Sequence, residues 1–346
     1  MLKDLWWMGK VAGLKQLFQF AKSKKQNLNH VRGYYVSSCI CALLKTPFFE
    51  DLASDGQIHI GEFCLKYDYE QNYVAHICRY LAALSLLELN GDICRLNKDL
   101  CLEPSVGVYQ FINAYGPVFA NLHTLLEKKE HYGQRIHRDQ KYVAIAADLT
   151  ERLVPYPYVK KLIQQMRCTS LVDLGCGNAA FLIYLSDALT VKSYGIDISH
   201  EAIQEAIKNV TNNNLSGKID LICADVAQIA SIPIETVPDA ITALYVLHEF
   251  IMRDNPTEKL LEVLLNIRRL FPISKLIVLE TCQYSPAELQ KSASLIAEHH
   301  LFHGCSLQNL LTFEAWKEVF SKAGYRIHMS EEIKMIGLGS FVLQPQ

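Results

Sequence analysis

Leu171-Val-Asp-Leu-Gly-Cys-Gly-Asn-Ala-Ala-Phe181 is the stretch on which the fold turns. Leu171 to Leu174 read as a buried parallel strand, apolar apart from Asp173. Gly175 and Gly177 allow a tight turn, and Ala180 and Phe181 begin the apolar pattern of a helix. A strand, a glycine turn and a helix N-terminus let the backbone approach a nucleotide-like ligand closely. Asp197, twenty residues beyond Gly177, ends a second strand, Ser193–Ile198. A carboxylate at that point can accept from both hydroxyls of a ribose.

Two chemistries fit this pattern. Gly175 to Ala180 satisfies G-x-G-x-x-G/A, so an NAD-dependent oxidoreductase is a competing reading. Two features favour S-adenosylmethionine. Asp173 precedes Gly175 by two residues, and the resulting D-x-G-x-G resembles the first motif of class I methyltransferases. A third strand, Ile219–Cys223, runs into Ala224-Asp225, where that family places an acid near the adenine. The expected cofactor-binding residues are Asp173, Gly175, Gly177, Asp197, Ile198, Asp225 and Val226.

Working outward, segments of strand and helix character alternate from Thr169 to the C-terminal end. They predict an α/β fold, a doubly wound, mostly parallel seven-stranded sheet, with a helical and winged-helix domain before it. The 346 residues suffice for two domains, expected at 1–150 and 151–346. A formal net charge of −2 argues against nucleic acid as partner. Eleven cysteines sit mostly singly in apolar runs without zinc-type spacing, as expected of reduced thiols in a cytoplasmic protein. MLKDLWWMGKVAGLKQLF is broken by Lys3, Lys10 and Lys15, too charged for a signal or membrane helix, so no membrane partner is expected.

Residues 1–30 read as an amphipathic helix with Leu5, Trp6, Leu14, Phe18 and Phe20 on one face, and Tyr34–Leu44 as a second helix. Residues 58–102 have a winged-helix rhythm: Ile60–Lys66, then Glu70–Leu84, then a hairpin turning at Asn90-Gly91. The would-be recognition helix has only Arg79 as a cation, which predicts a dimerisation module rather than a DNA reader. Between helices Val108–Lys129 and Lys141–Gln165 lies EHYGQRIHRDQKYVAIAADL. It reads as a solvated linker or, just before the cofactor domain, as a substrate wall using Tyr132, Arg138 and Tyr142.

A second chemical stretch, Leu244-Tyr-Val-Leu-His-Glu-Phe250, follows the fourth strand, whose end faces the reactive carbon of a cofactor held in such a sheet. LYVLHEFIMRDNPTEKLLEVLLNIRRLFPISKLIVLE resembles the corresponding run of the caffeate-type, winged-helix O-methyltransferases, and LTFEAWKEVFSKAGY extends the likeness. The resemblance implies that His248 is the general base, that Glu280 orients it, and that the protein is a homodimer. That family carries a further glutamate where this chain has HHLFHGCSLQNLLT. Here the sequence looks more like bacterial enzymes that methylate the β-carbon of α-keto acids such as phenylpyruvate or 2-ketoarginine, some holding a metal between the motif histidine and a later one. That likeness implies iron or zinc on His248 and one of His300 or His303. Metal-free O-methylation of a phenol or enol is the alternative.

Overall fold

The computed structural model describes residues 2–98, 105–190, 192–231, 234, 237–251, 255, 257–292 and 294–346. Contacts divide the chain into two compact units, Met1–Asn113 and Ala114–Gln346. The dividing point lies inside a helix, Val106–Ala120, and residues 114–150, expected with the first domain, fall in the same unit as the large sheet.

In the first unit, α1 (Leu2–Ala12) and α2 (Leu14–Leu43) are separated at Gly13, whose φ of 81° interrupts the helix. The break expected near residues 30–34 is absent, because that stretch lacks glycine at a positive φ or proline to stop a helix. α2 buries only its far end, through Ile40, Cys41 and Leu43. Trp6, Phe18 and Tyr34 are 64%, 75% and 72% exposed, and the side chain of Leu5 lies outside the described residues.

The remainder of this unit comprises α3 (Phe48–Asp55), β1 (Ile58–His59), α4 (Ile60–Tyr67), α5 (Gln71–Ala83), β2 (Leu87–Asn90) and β3 (Ile93–Leu96). The strands form an antiparallel sheet ordered β1-β3-β2. Asn90 pairs with Ile93, so the two-residue loop is Gly91-Asp92, one position later than expected. Asp92 explains the shift: its Oδ2 accepts from the Gly61 amide at 2.9 Å and its carbonyl from the Ile60 amide at 3.0 Å, holding the start of α4. Residues 99–102 of the expected module lie outside the described residues.

The second unit takes the rest of α6 (Val106–Ala120), then α7 (Leu122–Leu126), α8 (Gln140–Glu151) and α9 (Pro155–Gln165). β4 (Leu171–Leu174), α10 (Ala180–Leu185), β5 (Ser193–Asp197), α11 (His200–Asn212), β6 (Ile219–Cys223), β7 (Ala240–Leu244), α12 (Glu258–Leu270) and β8 (Lys275–Thr281) follow. α13 (Pro286–Leu289), α14 (Ile296–Cys305), α15 (Phe313–Lys322), β9 (Tyr325–Ile333) and β10 (Leu338–Pro345) complete it. The seven strands run β6-β5-β4-β7-β8-β10-β9, parallel except where β10 pairs antiparallel with β8 and β9. The doubly wound reading holds.

Apolar strands buried on both faces dictate this layering. Val172, Leu174, Ile241, Leu276, Val278 and Phe341 join one core with α12 and α15. Leu171, Ile277, Leu279 and Val342 point the other way, toward α9, α10 and α11. Successive strands leave β4 on opposite sides, toward β5 and toward β7, making the carboxyl ends of β4 and β7 the switch point where such sheets bind ligands.

At that edge Gly175 has φ 71°, and a Cβ there would lie 2.1 Å from Val246 Cγ2 of the segment after β7. Gly177 has φ 54° with open space around it. Gly175→Ala combines a clash with strain of about 1–3 kcal/mol, whereas Gly177→Ala meets only the strain. Thermal unfolding should show the lower Tm for Gly175→Ala; equal Tm values would deny the contact with Val246.

Candidate active site

The glycine turn is held from below by β5. Gly175 and Cys176 amides donate to the Ile196 carbonyl at 2.8 and 3.0 Å. Asp197 Oδ2 accepts from the Gly177 amide at 2.9 Å, and Oδ1 from the Ser199 amide at 2.8 Å. The acid expected to take ribose hydroxyls thus also shapes the turn. Ile198 beside it is an exposed apolar side chain, and Asp225 follows β6, accepting from the Ala227 amide at 2.8 Å just before the buried Val226.

Asp173 is buried, with one oxygen accepting from Thr242 Oγ1 across the β4–β7 pair at 2.6 Å. Burial raises its pKa to about 7, nearby Asp197 adds to the rise, and the Thr242 hydrogen bond opposes it. Glu151, ending α8, is also pushed well up, by burial first and then by Asp173, Asp148 and Glu280. Carboxylates thus gather round the turn.

After β7 the chain turns through Tyr245, at φ 55°, into a short helical turn, Leu247–Phe250. Glu280, in the last turn-facing part of β8 and fully buried, governs this segment. Its Oε1 accepts from the Leu247 and His248 amides at 2.6 and 3.2 Å, and its Oε2 from His248 Nδ1 at 2.7 Å. The arrangement fixes the ring and turns Nε2 away from Glu280. Burial disfavours charge on His248, but Glu280 and then Glu249 outweigh it, so its pKa lies above the ordinary histidine value.

The histidines of α14 separate into two roles. His303 stands edge-on to His248, with ring centroids 5.0 Å apart. Its Nδ1 donates to the His299 carbonyl at 2.7 Å, leaving the lone pair on Nε2. Burial, then the charge of His248, lowers its pKa to about 3, so the ring stays neutral. His300 instead uses Nε2 to donate to the Cys282 carbonyl at 3.1 Å and lies against Tyr284.

Glu249, only the neighbour of the expected base in the sequence reading, has its Oε1 3.7 Å from His248 Nε2 and 2.7 Å from Arg138 Nη2. Arg138 Nη1 donates to Gln308 Oε1 at 3.0 Å and to the Tyr115 hydroxyl at 3.3 Å. Tyr132 lies beside the Arg138 backbone, and burial, foremost, raises its pKa. Tyr115 stacks on Phe302 of α14 at 4.5 Å. Two of the expected wall residues, Tyr132 and Arg138, therefore meet beside His248. Tyr142 lies in the first turn of α8, its amide on Asp139. Sequence reasoning missed Tyr115, Glu249 and Gln308; only Glu249, next to His248, carried a signal.

Residues 167–324 match a family model described as a methyltransferase domain. A 2-ketoarginine methyltransferase of Streptomyces arginensis is 27% identical over 315 residues, covering 87% of this chain and 88% of the relative. Among solved structures, the mitomycin 7-O-methyltransferase MmcR is 13% identical with a TM-score of 0.66, covering 95% of this chain and 99% of its own. Human N-acetylserotonin methyltransferase in complex with SAM is 14% identical, also with a TM-score of 0.66, covering 93% and 97%. At these identities the solved structures speak for the fold alone. The domain match over residues 167–324 and the curated relative, joined to a glycine turn ringed by acids, support S-adenosylmethionine-dependent methyl transfer over the NAD-dependent reading.

Proposed function

We propose that the methyl acceptor is a small α-keto acid, of the 2-ketoarginine or phenylpyruvate kind, methylated on its β-carbon. The observation that carries this reading is the pair of imidazoles, His248 and His303, standing 5.0 Å apart beside the buried guanidinium of Arg138. A chelating keto acid needs both features: donors for a Lewis acid and a cation for its carboxylate. The relative named for 2-ketoarginine supports the same substrate class.

A divalent or ferric metal, iron or zinc, would be held by His248 and His303. The donor chemistry fits, since each ring has its Nδ1 engaged, on Glu280 and on the His299 carbonyl, and keeps Nε2 for another partner. No group of three His, Cys, Asp or Glu side chains that could hold a metal is found among the described residues. His300, engaged at Nε2 by Cys282, is the weaker of the two expected later ligands. When bound, the metal would stabilise the enolate and so make the adjacent carbon nucleophilic.

The protein's own tasks are then positioning and proton movement. Glu280 fixes His248. Arg138 takes the substrate carboxylate. Glu249, close to His248 Nε2, is the nearest anionic acceptor for the β-proton. The sulfonium methyl passes to the carbon that lost the proton, and S-adenosylhomocysteine leaves. Oriented Nε2 also favours a second reading, metal-free O-methylation of a phenol or enol with His248 as base. One lone pair cannot serve both roles at once, so the readings exclude each other.

Mass spectrometry of reactions with 2-ketoarginine, phenylpyruvate and a panel of phenols should find a methyl group on the β-carbon of a keto acid and none on oxygen. Elemental analysis of protein purified without a histidine tag should find metal, lost in His303→Ala and kept in His300→Ala. Activity that survives chelation undiminished in metal-free protein selects O-methylation instead.

His248→Ala removes the ring required by either reading, and turnover should fall roughly a hundred- to ten-thousand-fold. Calorimetric titration with S-adenosylhomocysteine should give an affinity near wild type. A fully active variant would reduce His248 to a buried structural histidine.

Residues 1–100 are proposed to pair two copies of the chain. Support comes from Trp6, Phe18 and Tyr34, large apolar side chains left exposed on α1 and α2. Light scattering should return a dimer mass, falling to the monomer value in Trp6→Glu/Phe18→Glu; a monomeric wild type rejects the pairing.

A further inference from the structure

Arg138 is held on three sides. Its Nη1 is shared by Gln308 and Tyr115, and Tyr132 lies beside its backbone. The side chain is 11% exposed. Of the edge formed by Nε and Nη2, which presents two parallel donors, only half is used: Nη2 meets Glu249 at 2.7 Å, while Nε is buried without a hydrogen-bond partner among the described residues. A buried donor left unmade is unfavourable. Glu249, 41% exposed, is the most exposed member of the group; beside Arg138 it meets Gln308 and lies 3.7 Å from His248 Nε2. A free carboxylate has no tether and can lie parallel to both donors, the stronger bidentate pairing.

We propose that Glu249 is an internal stand-in for the substrate carboxylate, occupying Arg138 until a 2-oxo acid displaces it onto both Nε and Nη2. The inference rests on the α-keto acid reading above. It makes the site selective by exchange: a ligand without a carboxylate that displaced Glu249 would leave the buried guanidinium without an anion. Displacement breaks one ion pair and forms another, so net charge in the site rises by only the one negative charge of the substrate. Because Glu249 competes with the substrate, part of the substrate's binding energy is used to expel it, and removing the competitor should raise affinity.

The test is binding without turnover. Wild type and variants, saturated with S-adenosylhomocysteine, are titrated calorimetrically with 2-ketoarginine and with phenylpyruvate, each against its uncharged 2-oxo amide. Arg138→Gln should lose the preference for acid over amide. Glu249→Gln, and independently Glu249→Asp, whose shorter chain cannot keep the contact, should bind the acid roughly tenfold tighter than wild type. S-adenosylhomocysteine affinity and Tm, read on the same samples, confirm that each variant is folded. If wild type binds no acid better than its amide, the α-keto acid reading falls, and the exchange with it. If acid selectivity depends on Arg138 but neither Glu249 variant binds the acid more tightly, the exchange alone is overturned.

Discussion

A single carboxylate, Glu280, ties the chemistry of this protein to its sheet. It is wholly buried, and it accepts three hydrogen bonds, two from the amides of Leu247 and His248 and one from the His248 ring. Burying an ionised carboxylate costs several kcal/mol unless donors replace its water, and here the turn after β7 supplies all of them. Fold and site are thereby one problem. The turn can satisfy Glu280 only if Leu247 and His248 stand where β8 presents the acid, and once they do, the histidine cannot rotate. Tyr245, in the left-handed region at φ 55°, and Val246, packed against Gly175, are the local consequences. The same contact brings the second chemical stretch against the glycine turn.

Charge explains why this glycine turn suits a sulfonium cofactor better than a dinucleotide. Asp173 and Glu280 are buried and Glu151 is half-buried, and burial followed by neighbouring carboxylates pushes Glu151 up as burial does Asp173. The folded pKa of Asp173, about 7, stands above its unfolded value, so its contribution to stability is full in acid and is lost as pH rises toward 7. Ionising Asp173 at neutral pH therefore carries an electrostatic penalty. A ligand bearing a sulfonium and an ammonium relieves it; a pyrophosphate would deepen it. The G-x-G-x-x-A pattern alone could not make this choice, since it describes only where backbone can approach.

Much of the second unit was legible because its signals are local. The strand at Leu171–Leu174, the acid at Asp197 and the run after β7 are each specified within a few residues, and the resemblance to methyltransferases rests on the same short motifs. The first unit was legible in its elements but not in its details. The helix break fell at Gly13 because the local conformation there is left-handed, and the hairpin loop slid to Gly91-Asp92 because Asp92 answers to the start of α4. Periodicity reports which face is apolar; it says nothing about such side-chain commitments.

What escaped the sequence was partnership over distance. Gln308 and Arg138 are 170 residues apart, and neither sits in a pattern that announces the other. The histidines of α14 pose the same difficulty. His299, His300 and His303 all fall within one turn of a common face, and only the rotation of the helix, fixed partly by Phe302 against Tyr115, decides which ring meets His248. Phe302 lies beside His303 in sequence, so a stacking contact that looks like ordinary packing sets the geometry of the imidazole pair. The aromatic wall and the reactive edge are thus not separable: a change that loosens Tyr115 would disturb Arg138, which it bonds, and His303, which it aims, by the same movement.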